Sequence, residues 1–163
     1  MASFDTETFL IDAADPDDLV EVLDEVAEAA GAWVNVEPDV DDALRTHVSG
    51  LFAWFSARGT QVPVGTFVAG TGRDVPSIGV DHGSGRGAGD RLREAGLSAP
   101  DGWSLRQDHP KRGLVWEASH EQSRLTDSAG HGPLAQFLME ATVLFCPLPT
   151  DGRFRISVHT PRR

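Results

Sequence analysis

The chain has 163 residues, 40% hydrophobic and 24% charged, and a chain of about 150 residues buries enough surface to fold without a disulfide or metal staple. Disordered, collagen-like and coiled-coil readings are excluded by this balance. The formal charge of −11 makes nucleic acid and anionic membrane surfaces poor electrostatic partners.

The charge is unevenly placed. Residues 1–42 hold fourteen acids, from Asp5 to Asp42, and no Lys or Arg, while the remainder is mildly positive. Such a stretch is either a solvated face or a patch that meets a basic partner. Cys146 is the only cysteine, which excludes an internal disulfide and fits an intracellular, cytoplasmic protein; its apolar neighbours predict a buried, inert thiol. The opening MASFDTETFL has no basic or apolar segment of a secretory signal, and no apolar run approaches the ~18 residues of a membrane span. Thirteen arginines against the single Lys111 read as the codon bias of a GC-rich bacterial genome.

Thr8 to Ile11 predicts a first strand. Asp15 as N-cap, Pro16 at the first helical position and acids at Asp17 and Asp18 then announce a helix. Leu19, Val20, Leu23, Val26, Ala27 and Ala30 repeat at helical spacing as far as Gly31. Trp33 to Val36 is a strand, and Asp39 to Ala57 a second helix with Val40, Leu44, Val48, Leu51, Phe52 and Phe55 on its apolar side. From Val62 the period becomes two, giving a hairpin of Val62–Val68 and Val75–Val80. A glycine loop, His82 to Gly89, leads into a short helix, Asp90 to Ala95. Trp103–Gln107 and Leu114–Ala118 form a second hairpin. Pro133 opens an apolar helix to Phe145, and Phe154–Val158 closes the chain as a strand.

The order β-α-β-α-β-β-α-β-β-α-β, with short turns between neighbouring strands, predicts an α+β fold. Its sheet is mostly antiparallel, built from the two hairpins plus the N- and C-terminal strands, and packed by three longer helices and one short one. Residues 1–163 read as a single domain. Trp33, Trp54, Trp103 and Trp116 are expected in the core.

One motif stands out. Val80-Asp81-His82-Gly83-Ser84-Gly85-Arg86-Gly87-Ala88-Gly89 runs from strand to helix with glycines at alternate positions, so its backbone N–H groups could cradle an anion, with Arg86 adding charge. The alternative is a plain flexible connection. The segment His82-Gly83-Ser84-Gly85-Arg86-Gly87 resembles the pyrophosphate-binding loop of Gcn5-related acetyltransferases, and that resemblance implies coenzyme A or nucleotide phosphate held by Gly83, Gly85, Arg86, Gly87 and Gly89. His82 stands where that family has Arg or Gln, and the chain has no tyrosine to protonate a leaving thiolate.

Histidines beside carboxylates give a second set of candidates. Asp81 with His82, Asp108 with His109, and His120 near Glu117 are residue types that a metal site or a general base oriented by an acid would use. None of the spacings HExxH, HxH or HxxxH occurs. Arg106, Lys111, Arg112 and Arg124 form a basic cluster around the second hairpin that complements the acidic N-terminal stretch, which gives a physical reason for self-association.

No constellation agrees in both residue type and spacing, so the sequence favours a binding or accessory module that forms a homo-oligomer, with a protein partner and no assigned cofactor. A small transferase using the Gly83–Gly89 loop, or a metal-dependent enzyme using the loop histidines, are the alternatives.

Overall fold

In the computed structural model, which describes residues 3–44, 62–72, 74–119 and 130–162, seven strands form one antiparallel sheet. The strands are β1 Phe4–Asp12, β2 Trp33–Pro38, β3 Val64–Val68, β4 Ser77–Asp81, β5 Trp103–His109, β6 Gly113–Ala118 and β7 Arg153–Pro161. Their order in the sheet is β1-β7-β2-β3-β4-β6-β5. Among the described residues three α-helices, α1 Asp17–Glu28, α2 Ala88–Glu94 and α3 Gly132–Phe145, accompany a 3-10 turn at Asp42–Leu44. The α+β class, the chain order and both hairpins agree with the sequence pattern. Of the anticipated second helix, only the beginning falls on described residues, as that 3-10 turn; its remainder, with Trp54, lies outside them.

The alternation read in the strands builds the core. Directly opposed residues form two apolar rows across the sheet, Ile156, Val36, Gly65, Val80 and Leu114 in one, and Val158, Val34, Phe67, Ile78 and Trp116 in the other. Helix α3 lies over β2, β3 and β4, and α1 packs beside it. Because α3 meets the sheet on one side and α1 on another, it is apolar nearly all round, from Leu134 to Phe145. Its buried Thr142 hydroxyl donates back to the Leu138 and Met139 carbonyls at 2.8 and 2.9 Å, so no polar group is stranded. At Gly65 a Cβ would sit 3.1 Å from Leu138 and 3.2 Å from Thr142. The missing side chain is what lets α3 approach β3 this closely.

Several local expectations are corrected. Helix α1 starts one residue late: Pro16, in helical conformation, is the cap, and Asp15 makes no capping bond. The first strand is longer than its apolar run, because pairing with β7 extends it from Phe4 to Asp12. Of the tryptophans, Trp116 is in the core and Trp103 packs against it. Trp33 lies outside it, on the opposite sheet face, half-buried and stacked on His159 with ring centres 4.6 Å apart and Phe4 against its edge. Cys146 is half-buried, its thiol donating to the Leu148 carbonyl at 3.5 Å.

Candidate functional site

The glycine loop turns directly from β4 into α2. Gly83, Gly85 and Gly87 all have positive φ, 56°, 84° and 75°, and the alternate glycines are explained by that backbone path, which side-chain-bearing residues adopt only with strain. Arg86 is exposed.

Strand β5 contributes the residue that decides the loop's chemistry. The Gly89 N–H, in the first turn of α2, donates to Asp108 Oδ2 at 3.1 Å. An anion at a helix start would use N–H groups of this kind. Here the protein's own carboxylate holds the place. The loop and the first Asp-His pair of the second hairpin therefore do converge, but on each other.

His82 is 2% exposed. Its Nδ1 accepts the Ser84 N–H at 3.0 Å and the Ser84 hydroxyl at 2.8 Å. An Nδ1 that accepts a backbone N–H carries no proton, so the neutral ring bears its hydrogen on Nε2, and Nε2 is buried without a hydrogen-bond partner. The ring lies 5.1 Å from that of Phe145. Burial lowers the His82 pKa, against the pull of the Asp81 carboxylate, with Arg91 adding to the lowering and Asp108 opposing it. Folding thus disfavours a second proton on this ring.

His109 repeats the arrangement on the next hairpin: its Nδ1 accepts the N–H groups of Lys111 and Arg112, both at 3.1 Å. In both histidines Nδ1 closes a turn. A metal bound through Nε2 would require the proton to move to Nδ1, into contact with those N–H groups. Among the described residues no group of three or more His, Cys, Asp or Glu side chains is arranged to hold a metal; His120 and Arg124 lie outside them.

Ser84, Arg91 and Phe145 were not singled out by the sequence. Arg91 donates to Ser84 Oγ at 2.6 Å and to the Ser84 carbonyl at 3.1 Å, and its guanidinium sits 5.5 Å from the centre of the Phe145 ring. Together they border a cleft of about 480 Å³ that also touches Glu94 and Cys146. No sequence spacing marks this set, since α3 brings Phe145 there from far along the chain. Elsewhere Arg106 is paired with Glu117 at 3.1 Å, within the hairpin.

A polar chain on the sheet face opposite α1 and α3 is the other feature that spacing did not reveal. The Thr66 hydroxyl donates to Asn35 Oδ1 at 2.9 Å, the Asn35 amide lies 3.3 Å from His159 Nε2, and Thr6 Oγ1 is 2.9 Å from His159 Nδ1. With Asn35 Oδ1 occupied, its amide donates to Nε2, and His159 donates from Nδ1 to Thr6.

No protein-family model, curated protein or solved structure matches this chain. Among the described residues, no helix is long and apolar enough to cross a membrane.

Proposed function

We propose that the chain is a binding module that works as a homodimer, joined edge to edge through β1. The observation that carries this reading is the free side of that strand. Hydrogen bonds from Arg162 N–H to the Ser3 carbonyl and from Ala13 N–H to the Gly152 carbonyl flank the β1–β7 ladder. In an antiparallel ladder such bonded pairs recur at every second residue, so the odd residues of β1 bond to β7. The N–H and C=O groups of Phe4, Thr6, Thr8, Leu10 and Asp12 consequently point the other way, where no strand pairs with them among the described residues.

An edge of nine residues, about 30 Å long, is usually blunted by Pro, Lys or a bulge. This one has no Pro, Lys or bulge; it carries the acids Asp5, Glu7 and Asp12, and Phe9 and Leu10 are 37% and 47% exposed. Antiparallel self-pairing centred on Thr8 sets Thr8 against Thr8, Thr6 against Leu10 and Phe4 against Asp12, all with outward backbone groups. It also sets Glu7 against Phe9 and Asp5 against Ile11. No acid then faces an acid, whereas a centre on Glu7 would oppose the two Glu7 carboxylates. Asp5 is already neutralised by Arg162 at 2.6 Å.

The enzyme readings have less support, since Asp108 accepts an N–H at the start of α2 and His82 and His109 are committed to turns. Native mass spectrometry and light scattering on the full chain test the proposal. A dimer is expected, and Thr8→Pro, which deletes an outward N–H and leaves the β7 ladder intact, is expected to give a folded monomer. A monomeric wild type at tens of micromolar, or a Thr8→Pro variant that stays dimeric, would overturn it.

A further inference from the structure

The helical side of the molecule carries an apolar groove that nothing described above uses. Its central part, about 1070 Å³, runs along the outer side of α3 between α1 and the segment after α2, with Val20, Leu97, Pro133, Met139, Val143 and Leu144 among its walls. It is continuous at one end, through Leu97 and Pro133, with a cleft of about 520 Å³ that reaches Trp103 and His131. At the other end Ala95 and Leu144 join it to the cleft beside Ser84 and Arg91. Val143 and Leu144 are 43% and 42% exposed, on the same helix as the exposed Gln136 and Glu140. The fourteen residues of α3 make this trough about 21 Å long, the length of several turns of a second helix.

Acids outnumber bases along the rim. Asp17, Glu94, Asp101 and Glu140 border the three connected parts. Among the described residues none of the four is in an ion pair. Glu140 only accepts the Gln136 amide at 2.9 Å. Among the described residues the one Lys or Arg at the border, Arg91, is turned onto Ser84 and Phe145. An anionic bilayer would bring negative charge to negative charge.

We infer that this groove binds a cationic amphipathic helix of a partner protein. Apolar side chains at i, i+3, i+4 and i+7 enter the trough, and flanking Lys or Arg reach the four carboxylates. The inference rests on the binding-module reading and names the chemistry of its partner.

The test uses the full chain and a labelled peptide of roughly 18 residues with Leu and Lys at helical spacing. Its two controls carry Glu in place of Lys, or the same residues in scrambled order. Fluorescence anisotropy should show tight binding of the Leu/Lys helix alone, weakening as salt rises. The double substitution Val143→Glu with Leu144→Glu, both at exposed positions, should weaken it at least about tenfold with the circular dichroism spectrum unchanged. Glu140→Lys should weaken it by a smaller factor. Failure of the Leu/Lys helix to bind, equal binding of either control, or equal binding by the Val143/Leu144 variant would overturn the inference. Oligomeric state is recorded on the same samples. A dimer that ignores the peptide removes the groove proposal alone, while a Thr8→Pro monomer that still binds it supports the groove independently of the dimer.

Discussion

Asp108 on β5 accepts the backbone N–H of Gly89 at 3.1 Å, so a strand caps a helix nineteen residues before it in the sequence. One N–H of the glycine loop of His82 to Gly89 is thereby taken by a carboxylate of the same chain.

Removing that carboxylate should act on the fold. Asp108→Ala is expected to lower stability by about 1 kcal/mol, as loss of a side-chain helix cap does, read as a shift of the urea midpoint at unchanged slope. Inorganic phosphate and coenzyme A should leave the wild-type Tm where it is. A ligand-induced rise in the wild-type Tm would restore the loop as a binding site.

Glycines with the same sign of φ should differ in their tolerance. Gly113, at φ 75°, opens β6, and a Cβ there would clash with the backbone carbonyl oxygen of Val80. Gly113→Ala should cost roughly 3 kcal/mol, from clash added to left-handed strain. Gly85, at φ 84°, has open space around it, and Gly85→Ala should cost only about 1 kcal/mol. Paired denaturation curves check the ordering.

His82 predicts a pH dependence with a definite sign. Its folded pKa lies below the ordinary 6.5, with desolvation the main cause. The unfolded chain therefore binds the proton first, and the stability gained from keeping the ring neutral is complete above that ordinary value. It is lost as pH falls from there through the lower folded pKa. Chemical denaturation between pH 7 and pH 5 should show this decline, and His82→Gln, which does not titrate, should show a shallower one. Equal slopes would mean that His82 titrates alike in both states.

Each element was legible where its evidence was local. Leu19, Leu23 and Val26 announce the buried side of α1 through spacing alone, and the alternation of Val34 and Val36, or Ile78 and Val80, announces strands with one covered face. Short connections between those strands imply antiparallel pairing, so the α+β class follows from residues close together in the chain. The N-cap was misplaced because Pro16 can itself take the helical conformation, leaving Asp15 outside the first turn.

What tertiary structure alone decided depends on residues far apart. The insertion of β7 between β1 and β2 makes β1 the sheet's edge and turns Thr8 outward, and it places His159 on Trp33; no periodicity within either strand encodes a neighbour more than a hundred positions away. Likewise the alternate glycines disclose a permissive backbone but not that Asp108 would occupy it, and the aspartate-histidine pairs disclose titratable groups but not that turn N–H groups would claim their Nδ1 atoms. Hydrophobic period is set by geometry along the chain, whereas the partner of a polar group, and which strand is left unpaired, are set by packing across it.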